Sequence, residues 1–486
     1  MYCYPPHPVR GHPCDNISGN YGTWQANAIQ REVVVVGGGA AGLSAARTLI
    51  RNGVKNIALL EAQDYLGGRV KTHRQDGILT EDGAEWIHGG SANRLYGLAR
   101  RMGVLSPRVP DSSYAWSAKT ETGRNADPAG YDAAETLYEI CERNSVLSQY
   151  SDFGYGKCYA DKFSGEYRRN RGRRSERAAW LHFLEMWVNK DTGLDDWRDQ
   201  SARDADHFTD WGLDQWDQWR AGYDALVAHL KKDIPAGTIS MSSPVCKIFW
   251  DQGDKGQVLV VTQSGVSYLA DHALITASVG HLKERQDSLF EPALPRAYRD
   301  ALAVTELGLA DKVQLGWRSS WWGEPHYNLN IIFTNDIQGE KSWLKGIMEF
   351  LTIHNQSNML QAFVPGEYAR KMEALPEETV KRHLLSFLAD VTGKSIPEPS
   401  FFRRTQWQKN VWMRGSYNSY VTVEGGNTIM RSRQPLAQAV EKNGKPVLLW
   451  AGEHTHTTRY GTVDGAMDTG EREAYKIIDY MDATFG

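Results

Sequence analysis

The run Val33-Val-Val-Val-Gly-Gly-Gly-Ala-Ala-Gly42 decides the fold. Four β-branched residues predict a buried strand, and the glycines end it in a tight turn. Gly37, Gly39 and Gly42 fall at G-x-G-x-x-G spacing. Leu43, Ala46, Leu49 and Ile50 then recur at helical intervals, so a helix is expected from Ser44 to Asn52, with Gly53 ending it. Ile57-Ala-Leu-Leu-Glu61 reads as a second strand closing on an acid about 20 residues beyond the glycines. In such a unit Gly37 permits the turn, Gly39 admits a pyrophosphate to the backbone, and Gly42 lets helix and strand pack closely. The helix N-terminus offers free N–H groups to phosphate, and Glu61 accepts hydrogen bonds from ribose hydroxyls. Strand, turn, helix and acid together point to a dinucleotide site.

Working outward, the chain has 486 residues and a net charge of -4, with no low-complexity tract. That leaves room for more than one domain and gives no general basic surface for nucleic acid. No apolar run reaches membrane-spanning length. Residues 1–30 form a polar extension rich in Pro, Gly and Asn, without a charged-then-apolar signal. Among five cysteines, Cys3 and Cys14 are one candidate pair and Cys141 and Cys158 another, leaving Cys246 in a strand-like run. Asn16-Ile-Ser and Asn355-Gln-Ser are glycosylation sequons. The cysteines and sequons favour secretion, with a cytoplasmic protein as the alternative. The chain ends Ala-Thr-Phe-Gly, so a peroxisomal Ser-Lys-Leu tail is not expected.

Residues 101–224 read mostly as helix around an irregular middle. There Arg168-Arg-Asn-Arg-Gly-Arg-Arg174 is expected to be a solvated basic loop. Trp180, Trp187, Trp197, Trp211, Trp216 and Trp219 alternate with acids and are expected mainly to pack, some lining a way in for a cation. Further on, strands are expected at Val245–Ile248, His272–Ser278, Lys312–Trp317 and Leu360–Val364, a hairpin at Gln257–Ala270, and a helix at Glu377–Val391. His454-Thr-His456 lacks a spaced acid or cysteine, so no metal is expected.

Several motifs share one resemblance. After Glu61-Ala62 come Gly67-Gly68-Arg69 and then Gly83-Ala-Glu85-Trp86-Ile-His88-Gly. Far downstream, Trp450-Ala-Gly452-Glu453 precedes Tyr460, Val463, Gly465-Ala466 and Gly470-Glu-Arg472. The pattern resembles the flavin-containing amine oxidases, and within them is most similar to the polyamine oxidases, over about residues 30–480. The resemblance implies an α/β fold: a Rossmann-like FAD-binding domain built from 31–104, 225–290 and 401–486, with a mixed α+β substrate-binding domain from 105–224 and 291–400. It implies FAD held by Gly37, Gly39, Gly42, Glu61, Ala62, Gly68, Arg69, Glu85, Trp86, Val245, Trp407, Gly452, Glu453 and Val463.

The same resemblance implies Lys312 beside the flavin, Tyr417 and Tyr460 as two rings clamping an amine, and His88 at the mouth of the site. Glu85 and Glu81 lie close by as candidate anchors for a distal ammonium, with a helix cap as the alternative role for Glu85. No cysteine lies in the loop around Tyr417, so FAD is expected to be non-covalent. Asp464 and the stretch His454–Arg459 depart from the family pattern and put substrate identity in doubt. The expected reaction moves hydride from an amine carbon to flavin, giving an imine, then aldehyde plus amine, while dioxygen becomes hydrogen peroxide. The alternatives are a monoamine, an amino acid (clamped by Arg459 or Arg414) or a secondary-metabolite amine as substrate, or a non-catalytic flavin-binding interaction protein.

Overall fold

A computed structural model describes residues 11–485 apart from 16, 18, 107, 111–112, 210–215, 253–255 and 354–355. Cys3, Asn16, Trp211 and Asn355 lie outside these described residues. Ile29–Val36 is the central strand, parallel to Ile57–Leu60 on one side and Ser267–Ile275 on the other. Ile239–Ser240 extends the sheet beyond Ile57–Leu60, and Lys445–Trp450 pairs in parallel with the end of Ser267–Ile275. Val33 and Val35 pack into one apolar cluster and Val34 and Val36 into another. Burial on both faces is why the run is continuously apolar, each side chain contributing about 1.5–3 kcal/mol.

The glycine turn feeds the helix Ala40–Arg51, which starts earlier than periodicity alone predicts because Gly39 is its N-cap. A Cβ on Gly42 would lie 1.9 Å from the Gly37 carbonyl oxygen, so only glycine allows this close helix–strand packing. The long helix Val463–Phe485 crosses the same helix, and there Gly470 leaves no room for a Cβ, which would meet Ala41 O at 2.1 Å.

A second sheet of six strands contains Ala115–Thr120, Ala310–Gly316, Tyr327–Ile332, Glu349–Ile353, Gln356–Pro365 and Phe401–Arg404. Phe401–Arg404 pairs with Ala310–Gly316, so this stretch belongs to the second sheet rather than opening the last dinucleotide segment. Conversely, the helix Arg296–Ala303 buries Tyr298, Ala301 and Leu302 in a cluster of the first sheet, so that segment continues past 290. The sequence reading divides the stretch Ser267–Ile275 between a hairpin arm and a separate strand; it is one strand with two partners along one edge.

The helices Ala129–Cys141, Lys157–Arg169 and Arg177–Thr192 cover the second sheet, with Trp180 and Trp197 buried among them and Trp187 stacked on Tyr138. Trp219 packs in the first-sheet core. A disulfide joins Cys141 to Cys158 and ties two of these helices. Cys14 pairs with Cys246 and not with Cys3: the chain before the first strand runs back across Val245–Gln252, bringing residues 232 apart in sequence into register. Among the described residues no helix is long and apolar enough to cross a membrane.

Candidate active site

Two loops meet at the N-terminus of Ala40–Arg51. Gly67 N donates to Gly38 O at 2.9 Å, and Gly68 lies against Gly39. Glu61 leaves its strand beside them, just before Ala62, and accepts from Gly38 N at 2.6 Å and Gln63 N at 2.8 Å. Burial raises its carboxyl above the usual range, opposed by those backbone N–H groups. The helix has no side-chain cap and no acid in its first turn. A Cβ on Gly39 would meet nothing nearer than Gly67 O at 3.9 Å, so the backbone there has room for a group such as a pyrophosphate. The Gln63 Nε2 atom is buried without a partner. An open backbone, a bare helix N-terminus and an adjacent carboxylate fit an adenine dinucleotide. Val245, by contrast, sits in the cluster below the sheet, at the start of the strand fixed by Cys246.

Arg69 joins this turn to the last third of the chain. Its Nη1 donates to Glu453 Oε1 at 3.1 Å and to Ser416 O at 3.3 Å. Burial alone would raise the Glu453 carboxyl, but Arg69, reinforced by hydrogen bonds from Gly461 N and Ser419, brings it down to about 2. Ser419 also takes part in a buried set with Arg433 and Asp204, the latter two paired at 2.8 Å. Gly452, at φ 139°, lets the chain leave its strand and point Glu453 inward. His454 is 1% exposed and burial lowers it to about 4, so it is neutral at pH 7.

The second sheet carries Lys312. The cation is 3% exposed and its Nζ donates to Glu81 O at 3.0 Å, Gly83 O at 2.9 Å and Glu85 Oε2 at 2.8 Å. Trp86 stacks near Phe363, with ring centroids 5.8 Å apart, and Lys312 Nζ lies 5.6 and 5.2 Å from the two centroids. Trp407 donates Nε1 to Asp82 O at 3.1 Å and so braces the same Glu81–Gly83 turn. Gln361 and Gln218 hold Glu85, at 3.0 and 3.2 Å. Burial pushes the Glu81 carboxyl up to about 8. Nothing in the sequence marks Gln361 or Gln218: each reaches Glu85 from a strand far along the chain.

The two rings of the expected aromatic pair are held by different segments. Tyr417 donates its hydroxyl to Lys190 O at the end of Arg177–Thr192. Tyr460 donates to Asp204 O at 2.8 Å, one ring face lies 3.6 Å from the Arg433 guanidinium, and Phe208 meets its edge. That packing gives Tyr460 a structural place beside the Arg433–Asp204 pair. His88 ends a short strand paired with Trp216–Gln218, and its carbonyl accepts from Asn93. Glu85 is neither a helix cap nor a free anchor for a distal ammonium, because Lys312 claims it.

Asp464 opens the helix after Val463 and is bound by Arg459, Nε to Oδ2 at 3.0 Å, both side chains 3% exposed. Arg459 also bonds Thr209 O. Arg414 is bonded to Glu284 and to Gln408 O. Both candidate clamps for a substrate carboxylate are therefore engaged elsewhere.

A family model described as flavin containing amine oxidoreductase matches residues 40–478. Bovine peroxisomal N(1)-acetyl-spermine/spermidine oxidase is 28% identical, over 93% of this chain and 95% of its own length. Probable polyamine oxidase 5 of Arabidopsis thaliana is 24% identical over 94% of this chain and 100% of its own. Among solved structures, putrescine oxidase bound to putrescine superposes with a TM-score of 0.70 at 20% identity, covering 93% of this chain and 100% of that one. Cyclohexylamine oxidase from Brevibacterium oxydans also gives 0.70 at 20% identity, covering 93% and 99%.

Proposed function

The chain belongs to the flavin-containing amine oxidoreductases, and from that premise we propose that its substrate is a polyamine or an acetylated polyamine. Its cofactor is FAD and its reaction the oxidation of an amine. Bound FAD supplies the hydride acceptor and returns the electrons to dioxygen, so that amine, water and dioxygen give aldehyde, a shorter amine and hydrogen peroxide. Gly37, Gly39, Gly42, Glu61 and Arg69 would hold the dinucleotide. An ammonium at Lys312, set against the Glu81–Gly83 turn, would favour negative charge developing beside it. Buried Phe363 and Trp407 with half-buried Trp86 would form aromatic walls that exclude water, and Tyr417 is the ring assigned to the amine. No protein base is required if the amine arrives neutral.

The observation that carries the substrate class is the engagement of both arginines. With Arg459 held by Asp464 and Arg414 by Glu284, neither of the two candidate clamps is available to the carboxylate of an α-amino acid. The full-length likeness to spermine/spermidine and polyamine oxidases supports the rest of the reading. Anaerobic mixing with spermine, spermidine, their acetyl forms, a monoamine and amino acids tests it. Fastest flavin bleaching by a polyamine is expected; fastest bleaching by an amino acid would overturn the substrate class, and no bleaching by any amine would revive a non-catalytic role.

The FAD is held without a covalent bond. Among the described residues every cysteine is in a disulfide, Cys14 with Cys246 and Cys141 with Cys158, and the loop around Tyr417 contains none. Acid precipitation should leave the yellow colour in the supernatant. The two disulfides also support an oxidising compartment and hence secretion; protein recovered from culture medium with no titratable thiol at Cys14 or Cys246 is the expected result.

A further inference from the structure

Lys312 and Glu85 are both almost wholly enclosed, with side chains 4% and 6% exposed. An ammonium has three donors and no acceptor, and all three of Lys312 are engaged. Two go to the backbone of one turn, at Glu81 O and Gly83 O. That turn is itself fixed by Trp407 and by Arg403, which donates to Asp82. The third goes to a side chain, Glu85 Oε2. Glu85 in turn cannot swing away easily: Gln361 Nε2 donates to Oε2 and Gln218 Nε2 to Oε1. Gln361 is itself held by Gln314 on the lysine's own strand, at 2.8 Å. The carboxylate is thus the charged member of the lysine's three acceptors, two residues beyond the turn that supplies the other two.

We propose that Glu85 is a positioning residue for Lys312, aiming its ammonium and keeping it charged inside the protein. This rests on the reading that Lys312 serves the flavin. Burial disfavours an isolated ammonium, and a carboxylate at hydrogen-bond distance offsets that. The other ionisable groups around the cluster do not replace it. Glu81 turns its carboxylate to Tyr223 N and Thr72 Oγ1. Asp82 is taken by Arg403 and Lys71. Asp311, next to Lys312 in the strand, directs its carboxylate to Thr405 and Trp407 N, with Glu373 beside it.

Glu85→Gln keeps the volume of the side chain and removes the charge. The flavin absorption of the holoenzyme is titrated from pH 6 to 10 without turnover, for the wild type, E85Q, E85D, K312M and the E85Q/K312M double variant. E85Q should acquire a spectral transition that the wild type lacks and the double variant loses, distinct from any Glu81 titration common to all. Reoxidation of E85Q should slow at least several-fold across that transition, and E85D should return towards the wild-type titration. An E85Q titration identical to wild type, with K312M still impaired, overturns the positioning role alone. K312M silent in both spectrum and reoxidation overturns the reading of Lys312 and this inference with it.

Discussion

The glycine turn proposed for the adenylate and the cluster around Lys312 are built in different ways. At the first, the determinants lie between Val33 and Arg69 and act mainly through backbone: a glycine with no room for a Cβ, a bare helix N-terminus and one carboxylate on a neighbouring N–H. At the second, Lys312 donates to the Glu81 and Gly83 carbonyls and to the Glu85 carboxylate, and that stretch is fixed by the side chains of Gln218, Gln361 and Trp407, which enter from distant segments. A backbone-made site tolerates little substitution and does one thing. A side-chain-made site can be altered group by group, which is where a family can change substrate without losing its cofactor.

Substitution at the two ends should separate these modes, and the largest effect belongs to the backbone. Gly42→Ala would place a methyl 1.9 Å from Gly37 O, so either the turn opens or the helix backs away. The purified variant should carry little or no flavin, read as the ratio of visible to protein absorbance. A fully yellow G42A protein would mean that the close helix–strand packing is not needed for the dinucleotide.

Lys312→Met should leave the adenylate end intact and the protein yellow. Flavin reoxidation by dioxygen should slow on the order of 100-fold, the scale for removing one preorganised charge from a buried site. Stopped-flow mixing of reduced enzyme with oxygen measures it, and unchanged kinetics would remove the assigned role.

Between the two ends, Arg69–Glu453 is the tie. The Glu453 carboxyl is depressed to about 2 from an ordinary 4.5, so the native state holds fewer protons than the unfolded state between those values. The stabilisation, on the order of 3 kcal/mol, is fully present above about pH 4.5 and is lost as pH falls towards 2. Denaturant melts from pH 6 down to pH 3 should show stability falling, and Glu453→Gln should flatten that fall while lowering stability at pH 7. A variant whose acid slope matches wild type would show that the pair contributes nothing to linkage.

The same contrast explains what the sequence discloses. The strand, turn, helix and acid are legible because their spacing is their function: Gly39 caps the helix and Glu61 reaches Gly38 through local geometry alone. Lys312 and Glu85 are visible only as family positions, and nothing in either neighbourhood announces that they pair across 227 residues. Cys14 illustrates the same limit, since a nearby Cys3 looks like the simpler partner until the return of the chain across Val245–Gln252 is known. Strand Phe401–Arg404 joins the second sheet because its register partner is Val313–Gly316, a choice that local propensity does not encode.

Tyr460 is where the reading of motifs and the packing differ most, and it carries the smallest expected effect. Matched by position it should be one of two rings facing an amine; in the structure its hydroxyl is spent on Asp204 O and its face on Arg433. Tyr460→Phe removes one hydrogen bond and leaves a buried carbonyl short of a donor, a loss of about 1 kcal/mol that a thermal melt will register. The amine KM should stay within about twofold of wild type, because no bond to substrate is removed and the ring remains. Tyr417→Phe tests the opposite assignment, since its hydroxyl fixes the ring against Lys190 O and a freed ring would hold the amine less well. A KM that rises for Y417F and not for Y460F places the amine on the Tyr417 side, whereas a rise confined to Y460F would return that residue to the clamp and require Arg433 to move when substrate binds.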